Sequence, residues 1–235
     1  MYEASDHVIW QCNFDQKMTV HHWGPPKSGS VIMNGVPNAS KVSPEVLQQF
    51  SKLRKNHEKV FVASANWHPQ KRLEENVRVF RYLRERFYPT ACLIIMGSNV
   101  NRSYSNSPNI YLTGSISPDL CVQVFKMSDW MIHTAWLDHC PNTVVEALGV
   151  EVPVICAEDG GTKELVRNYG IVLKEYTPYD FQLTDYENPP RLDIKQIQNT
   201  LPERRSLGMP PDVSIELCAK KYIDAFEDIL NRENT

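Results

Sequence analysis

The chain has 235 residues, 42% hydrophobic and 23% charged, with a formal net charge of −3; this supports one sizeable core, or a core with an appendage, and excludes a disordered polymer. Both signs of charge are spread along the sequence, so it carries no basic footprint for nucleic acid and no polybasic membrane patch, and small molecules are the expected partners. No run approaches the ~20 apolar residues that span a bilayer, and the acidic, polar start is unlike a signal peptide, which points to a cytoplasmic protein without a transmembrane segment.

Residues 7–10 read as a short apolar strand, 14–22 as a short helix and 31–33 as another strand, ended by the turn dipeptide Asn34-Gly35. A helix is predicted over 43–56, where Ser43 can cap, Pro44 suits the first turn, and Val46, Leu47, Phe50 and Leu53 recur at helical spacing. A strand over 59–65 leads through the loop 66–70 into a helix at 73–87, with Val77, Phe80, Leu83 and Phe87 on one face. Then follow a strand at 91–96 closed by Gly97, a polar loop at 99–108, a strand at 109–112 and a helix at 118–127. The series continues with a strand at 131–135, the connection 138–140, a helix opened by Pro141, a strand at 152–157, a helix at 162–168 and a strand at 171–173. Near-continuous apolar strands alternating with helices predict an α/β fold, a Rossmann-like parallel sheet with helices on both faces. Residues 174–211 are polar and proline-rich, with one helix expected at 193–200. An amphipathic helix at 212–230 closes the chain, carrying Ile215, Cys218, Ala219, Tyr222, Phe226 and Ile229 on one stripe.

Ligands of such sheets bind at the carboxyl ends of the strands. There the Pro141 helix offers free backbone N–H groups and the positive end of its dipole, an anion site. Asp138 precedes that helix and Glu146 lies within it, eight positions on. A ligand with a diphosphate in its middle and hydroxyls at both ends would satisfy the pair, with Asn142, Thr143 and Val144 supplying amides to the diphosphate. Lys71 lies in the loop Asn66-Trp67-His68-Pro69-Gln70-Lys71-Arg72, where its ammonium can neutralise a phosphate; the competing reading is a solvated surface charge. His139 can touch the ligand or stand solvated, and His133 at a strand end reads as a hydrogen-bonded core residue. Gly160 and Gly161 allow close backbone approach near the ligand. The six cysteines form no Cys-x-x-Cys pair and mostly fall in apolar runs, so reduced, buried thiols are expected, and no metal-ligand spacing occurs.

Asp138-x7-Glu146 with Pro141-Asn142 and Ala147-Leu148, then Val152-Pro153-Val154-Ile155 and Gly160-Gly161-Thr162-Lys163-Glu164-Leu165-Val166, resembles the Glu-x7-Glu region of retaining GT-B glycosyltransferases of family four (glycosyl transferases group 1). The resemblance runs from about residue 6 to 229 and covers the donor-binding half of that family. It implies a remnant of the N-terminal domain at 1–34, a nucleotide-sugar-binding domain at 35–211, and a terminal helix at 212–235 that returns to the domain junction. It further implies that Glu146 holds the ribose hydroxyls and that Asp138, in place of a glutamate, reaches the transferred sugar. Lys71 matches the lysine of the Arg-x4-Lys motif, while Asn66 stands where the arginine is usual. Leaving-group stabilisation then falls on Lys71, Arg72 and the Pro141 helix, and Gly97, His139, Gly160 and Gly161 complete the expected donor contacts. The implied reaction passes a sugar from a nucleotide sugar to a glycan, lipid or other acceptor, with no metal or other cofactor. Most of the acceptor-side domain is expected to be missing ahead of Met1, so a separate subunit, self-association or a longer natural chain would complete the cleft. Two other readings stay open: a non-catalytic nucleotide-sugar-binding or interaction protein with a decayed site, and an epimerase or phosphorylase of the same architecture.

Overall fold

Three short elements open the chain: β1 (Val8–Trp10), α1 (Asn13–Trp23) and β2 (Gly29–Val31), with β1 and β2 paired in parallel. The computed structural model describes residue 2 and residues 4–36, 41–203 and 213–233; the segment limits set at Met1, Pro211, Asp212 and Thr235 lie outside them. The second strand falls two residues earlier than the apolar run 31–33 suggests. Gly29 passes so close to the Trp10 ring that a Cβ there would meet it at 2.3 Å, while Ile32 and Met33 are buried beyond the strand.

The main body follows as α2 (Pro44–Arg54), β3 (Val60–Ser64), α3 (Leu73–Arg86), β4 (Cys92–Met96), β5 (Ile110–Gly114), α4 (Pro118–Met127) and β6 (Trp130–His133). It continues through α5 (Asn142–Gly149), β7 (Val154–Ala157), α6 (Thr162–Val166) and β8 (Gly170–Leu173) to α7 (Ile215–Glu233). The six strands β3 to β8 form one parallel sheet in the order β5-β4-β3-β6-β7-β8. Alternation along β3 explains the layering. Val60 and Val62 join one apolar cluster with Phe50, Val124 and Leu148, and Phe61 and Ala63 join the other with Val77, Phe80 and Leu83. Helix starts follow the sequence logic, with Ser43 Oγ accepting from Val46 N–H and Ser117 Oγ from Leu120 N–H, each ahead of a first-turn proline.

One expected helix is absent. Over 193–200 there is only the short 3-10 turn Ile194–Gln196, because Leu192, Ile197 and Leu201 are drawn as separate anchors into the cluster under α3. Past α5, Glu151 takes a left-handed φ of 64°, a conformation glycine adopts more readily. On α7, Cys218 and Ala225 pack on Ile32, whereas Phe226 and Leu230 are exposed. All six cysteines are free and buried, and burial pushes Cys12 and Cys92 up to about 12. No helix among the described residues is long and apolar enough to cross a membrane.

The opening unit is tied to the sheet through the start of α1. Glu164 accepts hydrogen bonds from the Asn13 backbone (2.9 Å) and side chain (2.6 Å) and from Phe14 N–H (2.7 Å). A carboxylate on those free amides acts as a cap supplied from 150 residues away. Glu164→Ala is expected to cost about 1 to 2 kcal/mol. Amide hydrogen exchange should quicken at 13–16 and stay unchanged in β3; equal protection in both would remove the tether.

Candidate functional site

Two loops at the carboxyl edge build the site. Trp136 N–H donates to Gln70 O (2.9 Å), joining the loop after β6 to the loop after β3, and Leu137 N–H and Gly161 N–H bond to Asp159 O and Asp138 O. Leu137 has a left-handed φ of 51°, which turns the chain ahead of Asp138. Beneath them the fully buried Asn76 amide donates to Lys71 O (3.2 Å), Arg72 O (2.8 Å) and Thr134 Oγ1 (2.8 Å). The backbone under Lys71 is thereby fixed to the end of β6.

Above this frame, Lys71 Nζ lies 2.6 Å from Asp138 Oδ2, and His133 Nε2 lies 3.1 Å from the same oxygen. Burial pushes the Asp138 carboxyl up. The hydrogen bond and charge of His133, with the Lys71 ammonium, outweigh burial and hold the group well below the usual carboxylate range. In sequence His133 reads only as a polar core residue; the signal that it reaches the site is its place at a strand end, five positions before Asp138.

At the start of α5, Asn142 and Thr143 N–H have no partner among the described residues. Val144 does not join them as expected, because its N–H donates to Pro141 O (2.9 Å) in the tightened first turn. Asn34 donates to Asn142 Oδ1 (2.8 Å) and reaches Cys140 O (3.5 Å), so the connecting segment touches this helix directly. Glu146 lines a cavity of about 380 Å³ with Asn34, Gly35, Asn142 and Ile215. Its half-buried carboxylate has no hydrogen bond or ion pair among the described residues, and burial pushes it up.

Other predicted contacts are redirected. Arg72 is turned into the interior: its side chain is 1% exposed and its guanidinium is bound to Glu175 (2.7 Å) and Pro190 O (2.9 Å). His139 pairs with Asp15 (3.3 Å) and packs edge-on against Phe14, facing the opening unit. Gly160 and Gly161 do permit close approach, but to the protein itself. A Cβ at Gly160 would meet Asp138 O at 2.8 Å, and one at Gly161 would meet His139 O at 2.1 Å and Cys12 Sγ at 2.3 Å. Gly97, with φ 111°, likewise accommodates Ala65 O. Asn66 accepts from Ser98 Oγ (2.7 Å) and Asn99 Nδ2 (2.8 Å), bracing the loop after β4.

The family profile of Glycosyl transferases group 1 matches residues 46–182, more than half of the chain. The chain belongs to this family. The chain is 28% identical over 174 residues to an uncharacterized glycosyltransferase of Methanocaldococcus jannaschii, covering 67% of this chain and 41% of that one. Its fold is that of a glycosyltransferase from Rickettsia africae (TM-score 0.66, 15% identity, 95% of this chain and 63% of that one). It is also that of Anabaena HepE, solved in complex with UDP-glucose (TM-score 0.60, 18% identity, 98% of this chain and 64% of that one). The chain therefore has the Rossmann-like α/β fold of one half of a GT-B structure, and spans less than two thirds of the length of each of these relatives.

Proposed function

We propose that this chain binds a nucleoside diphosphate sugar and forms the donor-binding half of a retaining glycosyltransferase. The observation that carries the reading is the half-buried Glu146, without a partner among the described residues, one turn beyond two helix amides equally without one there, with the Lys71 ammonium at the neighbouring loop. A carboxylate accepts from two vicinal hydroxyls, as on a ribose, while amides and ammonium take a diphosphate. Asp138 has one oxygen occupied by Lys71 and His133, which leaves Oδ1 for the transferred sugar. In the reaction the diphosphate departs as an acceptor hydroxyl attacks on the same face. Lys71 and the Asn142 and Thr143 amides stabilise the charge that develops. HepE, bound to UDP-glucose in a related fold, supports this donor class. The β1–α1–β2 unit then belongs to the acceptor side, the six-stranded sheet is the core of the donor domain, and α7 is the helix returning to the junction. A glycan, lipid or other acceptor would bind on a second wall, supplied by another domain, a separate subunit or a second copy.

This scheme assigns no metal to donor binding, because Lys71 and the Asn142 and Thr143 amides are the groups offered to the diphosphate charge. Calorimetry with UDP, GDP and ADP should show binding of at least one, unchanged by EDTA. Lys71→Met should weaken the diphosphate about tenfold and the matching monophosphate much less. Binding lost on chelation would overturn the metal-free scheme, and equal losses for both nucleotides would remove Lys71 from the β-phosphate.

A specific observation favours a second reading, a non-catalytic nucleotide-sugar-binding protein. With Asn66 uncharged where the family usually has arginine, and Arg72 buried against Glu175, Lys71 is the one cation left of the two side chains on which leaving-group stabilisation was expected to fall. Donor binding is common to both readings. Sugar transfer after an acceptor-side domain is supplied separates them.

A further inference from the structure

We infer that His133 is a positioning residue of the diphosphate site: it holds the Asp138 carboxylate so that Lys71 can turn to an incoming β-phosphate. The inference rests on the nucleotide-binding reading above. His133 ends β6, which is locked between β3 and β7 with His133 opposite Cys156, and its side chain is 4% exposed. The imidazole is therefore a fixed group, whereas Asp138 and Lys71 sit on loops and keep 14% and 20% exposure. Because Asp138 is ionised, the proton in the 3.1 Å contact lies on Nε2, and the imidazole is the donor.

A carboxylate 2.6 Å from Lys71 is a competitor of any phosphate that needs the same ammonium. Left alone, Asp138 would close on Lys71, and its charge would repel the diphosphate. The His133 bond goes to the same oxygen that holds Lys71, Oδ2. That second donor satisfies part of the oxygen's charge, weakens its grip on the ammonium and fixes the rotation of the carboxylate. No other ionic partner of Asp138 occurs among the described residues. The consequence is selective: His133 acts on whatever part of a ligand meets Lys71, and not on the part held by Glu146.

The test uses two variants of the whole chain. His133→Leu keeps a buried apolar filler without the donor, and His133→Gln places an amide N–H near the position of Nε2. Affinities for UDP, GDP and ADP and their monophosphates are measured by calorimetry, with thermal midpoints as the check on folding. For whichever diphosphate the parent chain binds, His133→Leu should weaken it about fivefold and the monophosphate less than twofold. His133→Gln should restore the diphosphate to within about twofold. Because the effect passes through Lys71, His133→Leu should add little on a Lys71→Met background. An unchanged diphosphate-to-monophosphate ratio in His133→Leu, a full additional loss on Lys71→Met, or no rescue by glutamine would overturn the inference. A parent chain that binds none of the three diphosphates would overturn the nucleotide reading itself, and this inference with it.

Discussion

Glu175→Ala is expected to cost about 3 to 5 kcal/mol of stability. The Arg72–Glu175 pair lies in the dry interior, each side chain 1% exposed. Burial pushes Glu175 up and Arg72 down, and their mutual bond opposes both shifts without cancelling either. The pair is thus no net source of stability, but each charge depends on the other. Removing Glu175 leaves a guanidinium with only Pro190 O as partner, its Nε already lacking one, and strips Asp159 N–H of its acceptor. Replacing both members, as Arg72→Met with Glu175→Leu, should cost far less than Glu175→Ala, the remainder coming from Asp159 N–H and Pro190 O left without their partners. Urea unfolding of both single variants and the double gives the coupling. A loss under 1 kcal/mol in Glu175→Ala would show that the site hydrates freely.

Glu146→Gln should move binding and stability in opposite directions. Losing two charge-assisted hydrogen bonds to vicinal hydroxyls is worth about tenfold to a hundredfold in nucleotide affinity. The ribose is common to all nucleotides, so mono- and diphosphate should fall together, unlike the pattern expected at Lys71. Stability should change the other way. Burial raises the folded carboxyl of Glu146 above its unfolded value, so its contribution is fully present below the unfolded value and lost as pH rises through the folded one. At neutral pH the ionised group is a liability that glutamine removes. The variant should melt higher than the parent at neutral pH, and the gap should narrow as the pH falls. Thermal unfolding across pH together with nucleotide calorimetry tests both halves, and unchanged affinity would detach Glu146 from the ligand.

The order of elements, the loops bearing Lys71 and Asp138 and the helix bearing Glu146 were legible because they follow from local pattern: apolar runs of strand length, capping serines and prolines at helix starts. What side chains face was not. Lys71 and Arg72 are adjacent cations in sequence, and their opposite fates follow from the left-handed φ of 49° at Arg72, which swings that side chain toward Glu175, 103 residues on. The glycine pair at 160 and 161 announces a close approach without naming the neighbour, which includes Cys12. His139 is drawn off by Asp15 for the same reason: the partner is distant in sequence and lies on another element. At 193–200, the spacing of Ile194, Ile197 and Leu201 imitates a helix face, although the segment follows separate hollows beside α3.

Asn34 joins the connecting segment to the first residue of α5, while Asp15 grips His139 beside Asp138. These contacts act as a mechanical linkage. On the donor-binding reading, a rotation of the β1–α1–β2 unit would pull on both ends of the short connection between Asp138 and Asn142, and a ligand seated there would resist that rotation by the same free energy. Movement of the β1–α1–β2 unit would on that reading be geared to donor occupancy, and severing Asn34 from Asn142 would loosen that gearing.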